Sequence, residues 1–87
     1  MSLDISLEID TGGSCRATIE TSVICGDEEQ AIRSAGLEMS ALNGMLCAEA
    51  SVLLGEALER IPGSGVHIVQ ALIADCNTHP KASLYVR

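Results

Sequence analysis

Leu3, Ile5, Leu7 and Ile9 alternate with Asp4, Ser6 and Glu8, and a second alternating run follows, Cys15, Ala17, Ile19 and Val23 against Arg16, Thr18, Glu20 and Ser22. Successive side chains leave a pleated strand on opposite sides, so a period of two marks a strand with one buried face. Thr21 is the one polar residue in the second apolar set. Two such runs on either side of Asp10-Thr11-Gly12-Gly13 predict a β-hairpin. Keeping both apolar faces together requires odd residues opposite odd ones. The shortest loop that does so is Thr11-Gly12-Gly13, with Asp10 opposite Ser14 and Gly13 in the left-handed conformation. The same register sets Glu8 opposite Arg16, which is favourable, and Asp4 opposite Glu20, which is not.

Gly26-Asp27 ends the second run. Asp27 with Gln30 three residues later resembles a capping box, and Glu28 and Glu29 suit a helix N-terminus. Apolar residues then recur at spacings of three and four: Ile32, Ala35, Met39, Leu42, Leu46, Ala50, Leu53, Ala57 and Ile61, with no proline between 28 and 61. One helix over that span would be about 50 Å long, too long to lie over a small sheet. A break is therefore predicted at Asn43-Gly44, where either residue can end a helix. After Pro62-Gly63-Ser64-Gly65, Val66, Val69, Leu72, Ile73 and Cys76 mark a further helix, which Pro80 stops. Ala82, Leu84 and Val86 against Ser83, Tyr85 and Arg87 read as a closing strand. The expected fold is a single α+β domain over residues 1–87. It has two layers, a three-stranded, mainly antiparallel sheet covered on one face by helices, in the order β-β-α-α-α-β.

A chain of 87 residues has a small core, which leaves little room for a large substrate cavity. Tyr85 is the only aromatic residue, so the core is built from aliphatic side chains and Cys, which make poor platforms for stacking bases or sugars. Twelve acidic against five basic residues give a net charge of -7. That field repels phosphate backbones and anionic lipid head groups and attracts a basic protein surface. Direct nucleic-acid and membrane binding are thus disfavoured. Asp4, Glu8 and Asp10 interrupt any signal-peptide pattern at the N-terminus, and a cytoplasmic protein is expected. Cys15, Cys25, Cys47 and Cys76 are widely spaced among apolar neighbours and read as reduced, buried thiols.

Asp10-Thr11-Gly12 is the tripeptide that carries the catalytic carboxylate of aspartic proteases. That chemistry needs two carboxylates sharing a proton, so a dimer would have to bring two copies of Asp10 together. Glu8 stands two residues before Asp10 and a glycine hairpin follows it, which favours a hairpin corner; a dimeric protease-like hydrolase is kept as an alternative. Cys76 and His79 have the spacing of a metal-ligand pair, which Cys15, Cys25 or His67 could complete. Cys76 also continues the apolar stripe of its helix, and no metal is expected. Nothing in the chain matches a cofactor motif or an activated nucleophile, so neither a cofactor nor an enzymatic activity is expected. The carboxylates remain. Asp4, Glu8 and Glu20 should share the open sheet face, and Glu28, Glu29 and Glu38 mark helical faces. Together they are the candidate acidic surface for a partner, or a solubilising coat.

The opening "DISLEIDTGG" and the closing "IVQALIADCNTHPKASLYV" resemble a family of short, uncharacterised phage and prophage proteins. These begin with an alternating strand ending in DTGG and close with an apolar helix running into Cys-x-x-His-Pro and a final strand. The likeness covers the two ends and not the middle. It implies a phage-related origin, a bacterial host cytoplasm and no particular reaction. The expected function is a non-enzymatic accessory protein that binds and modulates a protein partner with a basic surface. An inhibitor of host defence of the anti-CRISPR kind is its sharpest form. The alternative is a self-associating assembly protein, a homodimer in which a helix running unbroken through Asn43-Gly44 buries its stripe against a second copy.

Overall fold

The predicted hairpin forms, but in a different register. In a computed structural model, which describes residues 2–13 and 15–87, β1 (Leu3–Gly12) pairs antiparallel with β2 (Cys15–Ile24). Asp10 faces Arg16 rather than Ser14, which lies outside the described residues, and Gly12 faces Cys15. Gly13 takes the expected left-handed conformation, with φ 61°. The pairing steps from Leu7/Glu20 to Glu8/Thr18, leaving Ile19 as an extra residue on β2. It steps again from Asp10/Arg16 to Gly12/Cys15, leaving Thr11 extra on β1. Each is a β-bulge, which inserts an unpaired residue and resets the alternation beyond it.

The bulge at Ile19 decides which side chains of β2 face the core. Directly opposite residues share a face. Ala17 therefore shares that of Ile9, whereas past the bulge Ser22 and Ile24 share that of Ile5 and Leu3. Thr21, the misfit in the apolar set, turns to the open side. Ile24 becomes fully buried and Val23 is 60% exposed, reversing the expected inward placement of Val23. The new register also sets Glu20 opposite Leu7 and Asp4 opposite Val23, which removes the repulsive pair.

The sheet has four strands rather than three. β3 (Met45–Leu46) and β4 (Ser83–Val86) complete it in the order β2-β1-β4-β3, with every neighbouring pair antiparallel. The corrected element order is β-β-α-β-α-α-β, with a 3-10 turn (Met39–Leu42) ahead of β3. Two residues are too few for alternation to reveal a strand; β3 exists because it pairs with Leu84 and Ser83.

α1 (Gly26–Ser34) starts earlier and stops sooner than expected. The Cys25 N–H donates to Glu28 Oε1 at 3.0 Å, so Glu28, rather than the Asp27/Gln30 pair, caps the helix. At the other end Gly36 adopts φ 90°, its N–H donates to the Arg33 carbonyl at 2.9 Å, and the Leu37 N–H donates to the Ile32 carbonyl at 3.3 Å. This is a Schellman ending, in which a left-handed glycine lets the chain satisfy two terminal carbonyls. Leu37 packs against the core that contains Ile32. The break therefore falls nine residues before Asn43-Gly44, between Ser34 and Gly36.

α2 (Cys47–Leu58) and α3 (Gly63–Thr78) pack on each other and, with α1, enclose a core that takes Ile5, Leu7, Ile24 and Leu84 from the sheet. Most of the predicted helical stripe is buried although no continuous helix carries it. Leu46 and Leu53 are the exceptions, partly exposed at 46% and 36%, while their neighbours Cys47 and Leu54 are fully buried. Cys15 and Cys25 are exposed rather than buried; Cys47 and Cys76 are buried, and all four are free thiols. Among the described residues no helix is long and apolar enough to cross a membrane.

Candidate functional site

The helices leave one sheet face open, and the polar side chains of three strands meet there. Glu8 on β1 is 9% exposed despite its charge. Its Oε2 accepts from Ser6 Oγ at 3.1 Å and from an Arg87 guanidinium nitrogen at 2.8 Å. Burying a carboxylate is costly unless it is paired and hydrogen-bonded, and both conditions hold here. Arg16 on β2 reaches across β1 to β4. Its guanidinium lies 5.1 Å from the Tyr85 ring centroid, a cation–π distance, and also donates to the Tyr85 hydroxyl. Both arginines are thus drawn towards the centre of the sheet. Beside them, Asp4, Ser6, Thr18, Thr21, Val23 and Arg87 border a depression of about 380 Å³. A larger hollow of about 510 Å³, bordered by Asp27, Gln30, Ala31, Ser34 and Pro62, opens widely to solvent.

The six predicted acidic residues do not form one surface. Asp4 is exposed on the open face. Glu8 lies on the same face, covered and paired with Arg87. Glu20 is exposed, but its position opposite Leu7 puts it on the helix side. Glu28 is used as the cap of α1, and Glu29 and Glu38 both pair with Arg33, at 3.7 and 3.3 Å. The pairs Glu8–Arg87 and Arg16–Tyr85 were not visible in the sequence, being 79 and 69 residues apart. The available signal was that Tyr85 and Arg87 fall on the polar side of the closing strand, as Arg16 does on its own.

Asp10 sits exposed near the hairpin end, where its Oδ1 accepts the Gly12 N–H at 3.0 Å. That bond from a side chain to the backbone two residues on is how aspartate stabilises a turn, and it spans the bulged Thr11. Cys76 lies beside the Cys47 thiol, with Asp75 close by. Burial, then the Cys47 contact, pushes the Cys76 thiol up to about 12; burial likewise raises Cys47. His79 ends α3, its N–H donating to the Asp75 carbonyl at 3.0 Å. Among the described residues no three His, Cys, Asp or Glu side chains cluster as a metal site would require. No family model matches the chain, and neither does any curated protein or solved structure.

Proposed function

We propose that the protein is a non-enzymatic accessory protein that binds and modulates a protein partner carrying a basic surface. The observation that carries this reading is the uneven use of charge. All four arginines are engaged within the fold, Arg16 with Tyr85, Arg33 with Glu29 and Glu38, Arg60 through Nε to the Ala35 carbonyl, and Arg87 with Glu8, while Lys81 alone of the five Lys and Arg residues is exposed with no ion pair among the described residues. Asp4, Glu20, Asp27, Glu49, Glu56 and Glu59 are exposed and form no ion pair among the described residues. The outward field is therefore negative, and it steers a basic surface towards the protein. A host system that handles nucleic acid presents such a surface. With the phage-like character of the chain ends, an inhibitor of host defence acting in the bacterial cytoplasm is the sharpest form of the proposal.

The test is capture from bacterial lysate at low and high salt, alongside a variant combining Asp4→Asn, Glu20→Gln and Asp27→Asn. A basic protein recovered at low salt, lost at high salt and weakened by the triple variant is the expected result. Recovery of no basic partner, or of one indifferent to salt, would overturn the reading. Self-association is the second reading, supported by the exposure of Val52 at 59% beside Leu53 on α2. The unbroken helix that first suggested it is absent, because α1 ends at Ser34. Light scattering at tens of micromolar separates the two: a strict monomer removes it.

A further inference from the structure

We propose that the free edge of β2 at Thr21–Ile24 takes up an extended, basic segment of the partner as an added antiparallel or parallel strand. The inference rests on the basic partner proposed above and specifies how it docks. β2 and β3 are the two edges of the sheet. β3 has two residues and runs directly into α2, so it is a poor template. β2 has ten. Exposed sheet edges are where strand addition occurs, because their backbone groups have no partner.

The register identifies which groups are free. Asp4 exchanges both backbone hydrogen bonds with Arg87, at 3.1 and 2.8 Å. Successive residues of a central strand direct their N–H and C=O groups alternately to its two neighbours. Leu3, Ile5 and Leu7 accordingly bond towards β2, and their partners Ile24, Ser22 and Glu20 bond back. Thr21 and Val23 must then direct their N–H and C=O groups away from the sheet. Outside the strand ladders, neither residue makes a backbone bond among the described residues. The bulge at Ile19 interrupts the edge on one side of this stretch and α1 begins on the other, which confines a docked strand to Thr21–Ile24.

Charge selects the occupant. Arg16 is the only cation of β2, and it is drawn across β1 to Tyr85 on β4, two strand spacings or about 10 Å from the free edge. Asp4, Glu20 and Asp27 remain around the stretch without ion pairs among the described residues. A strand bonded to Thr21 and Val23 would place alternate side chains beside Val23 on the open face and beside Glu20 on the helix side. β-branched residues suit the first set and lysine or arginine the second. A second copy of this chain fits less well, because it would oppose -7 to -7 across a contact narrower than stable dimers use.

The probe is an eight-residue peptide alternating valine and lysine, with a valine–glutamate peptide as control, added to the isotope-labelled full chain. Amide hydrogen exchange at Thr21 and Val23 is expected to slow about tenfold or more with the lysine peptide and not with the control. Thr21→Pro removes a free-edge donor without touching the β1 ladder and should abolish binding. Glu20→Gln should weaken it and flatten its salt dependence. Salt-sensitive peptide binding without protection at Thr21 and Val23 would overturn strand addition and leave the basic-partner reading standing. No binding of the lysine peptide, together with no basic protein captured from lysate, would overturn both. Protection that appears without peptide and grows with protein concentration would assign the edge to a second copy and overturn the proposed occupant. The exchange measurement on the unmodified chain decides the matter even if Thr21→Pro fails to fold.

Discussion

Arg87 reaches back from the end of β4 to hold the Glu8 carboxylate at 2.8 Å, fastening the closing strand to β1 on the side the helices leave open. The two partners are unequal: the Glu8 side chain is 10% exposed and that of Arg87 66%. Removing the arginine strands a largely desolvated carboxylate, whereas neutralising the glutamate strands only a cation that water can reach. Arg87→Ala should therefore destabilise the fold by about 1–3 kcal/mol and Glu8→Gln by about 1 kcal/mol or less. Urea unfolding of both variants checks the order, and equal losses would contradict it.

The bulge in β2 predicts opposite outcomes at two adjacent apolar residues. Ile24→Ala should cost about 2–4 kcal/mol, because it empties a fully buried position, while Val23→Ala should stay within about 0.5 kcal/mol. Thermal or denaturant midpoints distinguish this from uninterrupted alternation, which would make Val23 the costly position.

Gly36 ends α1 with a φ that other residues adopt only with strain. Gly36→Ala should lower stability by about 1–2 kcal/mol, and Gly36→Asn should cost less, since asparagine tolerates the left-handed region. If the two variants are equally stable, the ending of α1 is not the one described.

The thiols should divide into two classes. Cys15 and Cys25 should react with a thiol reagent in the native protein at mild pH, and Cys47 and Cys76 only after unfolding. The buried pair also makes stability depend on pH. Both thiols are raised in the folded state from an ordinary value of 9.0, Cys76 to about 12. Folding therefore favours the protonated form. Their contribution is fully present below pH 9 and is lost as the pH rises towards 12. The denaturant midpoint should fall over that interval more steeply in the native chain than in Cys47→Ala/Cys76→Ala. A parallel decline in both would show that other groups are responsible.

What the sequence determined by itself was the class of fold and most of the helical share of the core, but not the inner face of β2. The alternation at Leu3–Ile9 and Ala82–Val86 specifies half-buried strands, because only a pleated strand turns that pattern into one apolar face. Ile32, Ala35, Met39, Leu42, Ala50, Ala57 and Ile61 are buried as their spacing suggests, although a Schellman ending, a 3-10 turn and a two-residue strand interrupt them. Their burial follows from the apolar surface they must remove from water, which several backbone paths can achieve. Gly36 followed by Leu37 was a legible stop signal, outweighed in the sequence by the periodicity running through it. Only the tertiary structure decided the register of the hairpin. A single bulge shifts every later side chain to the other face, and its position depends on where β4 and the helices need apolar contacts. The candidate site was equally a tertiary matter. Glu8, Arg16, Tyr85 and Arg87 meet because β4 inserts beside β1 rather than beside β2. That same choice leaves Thr21 and Val23 at an open edge, because hydrogen-bonding neighbours are assigned by strand order, which no local pattern encodes.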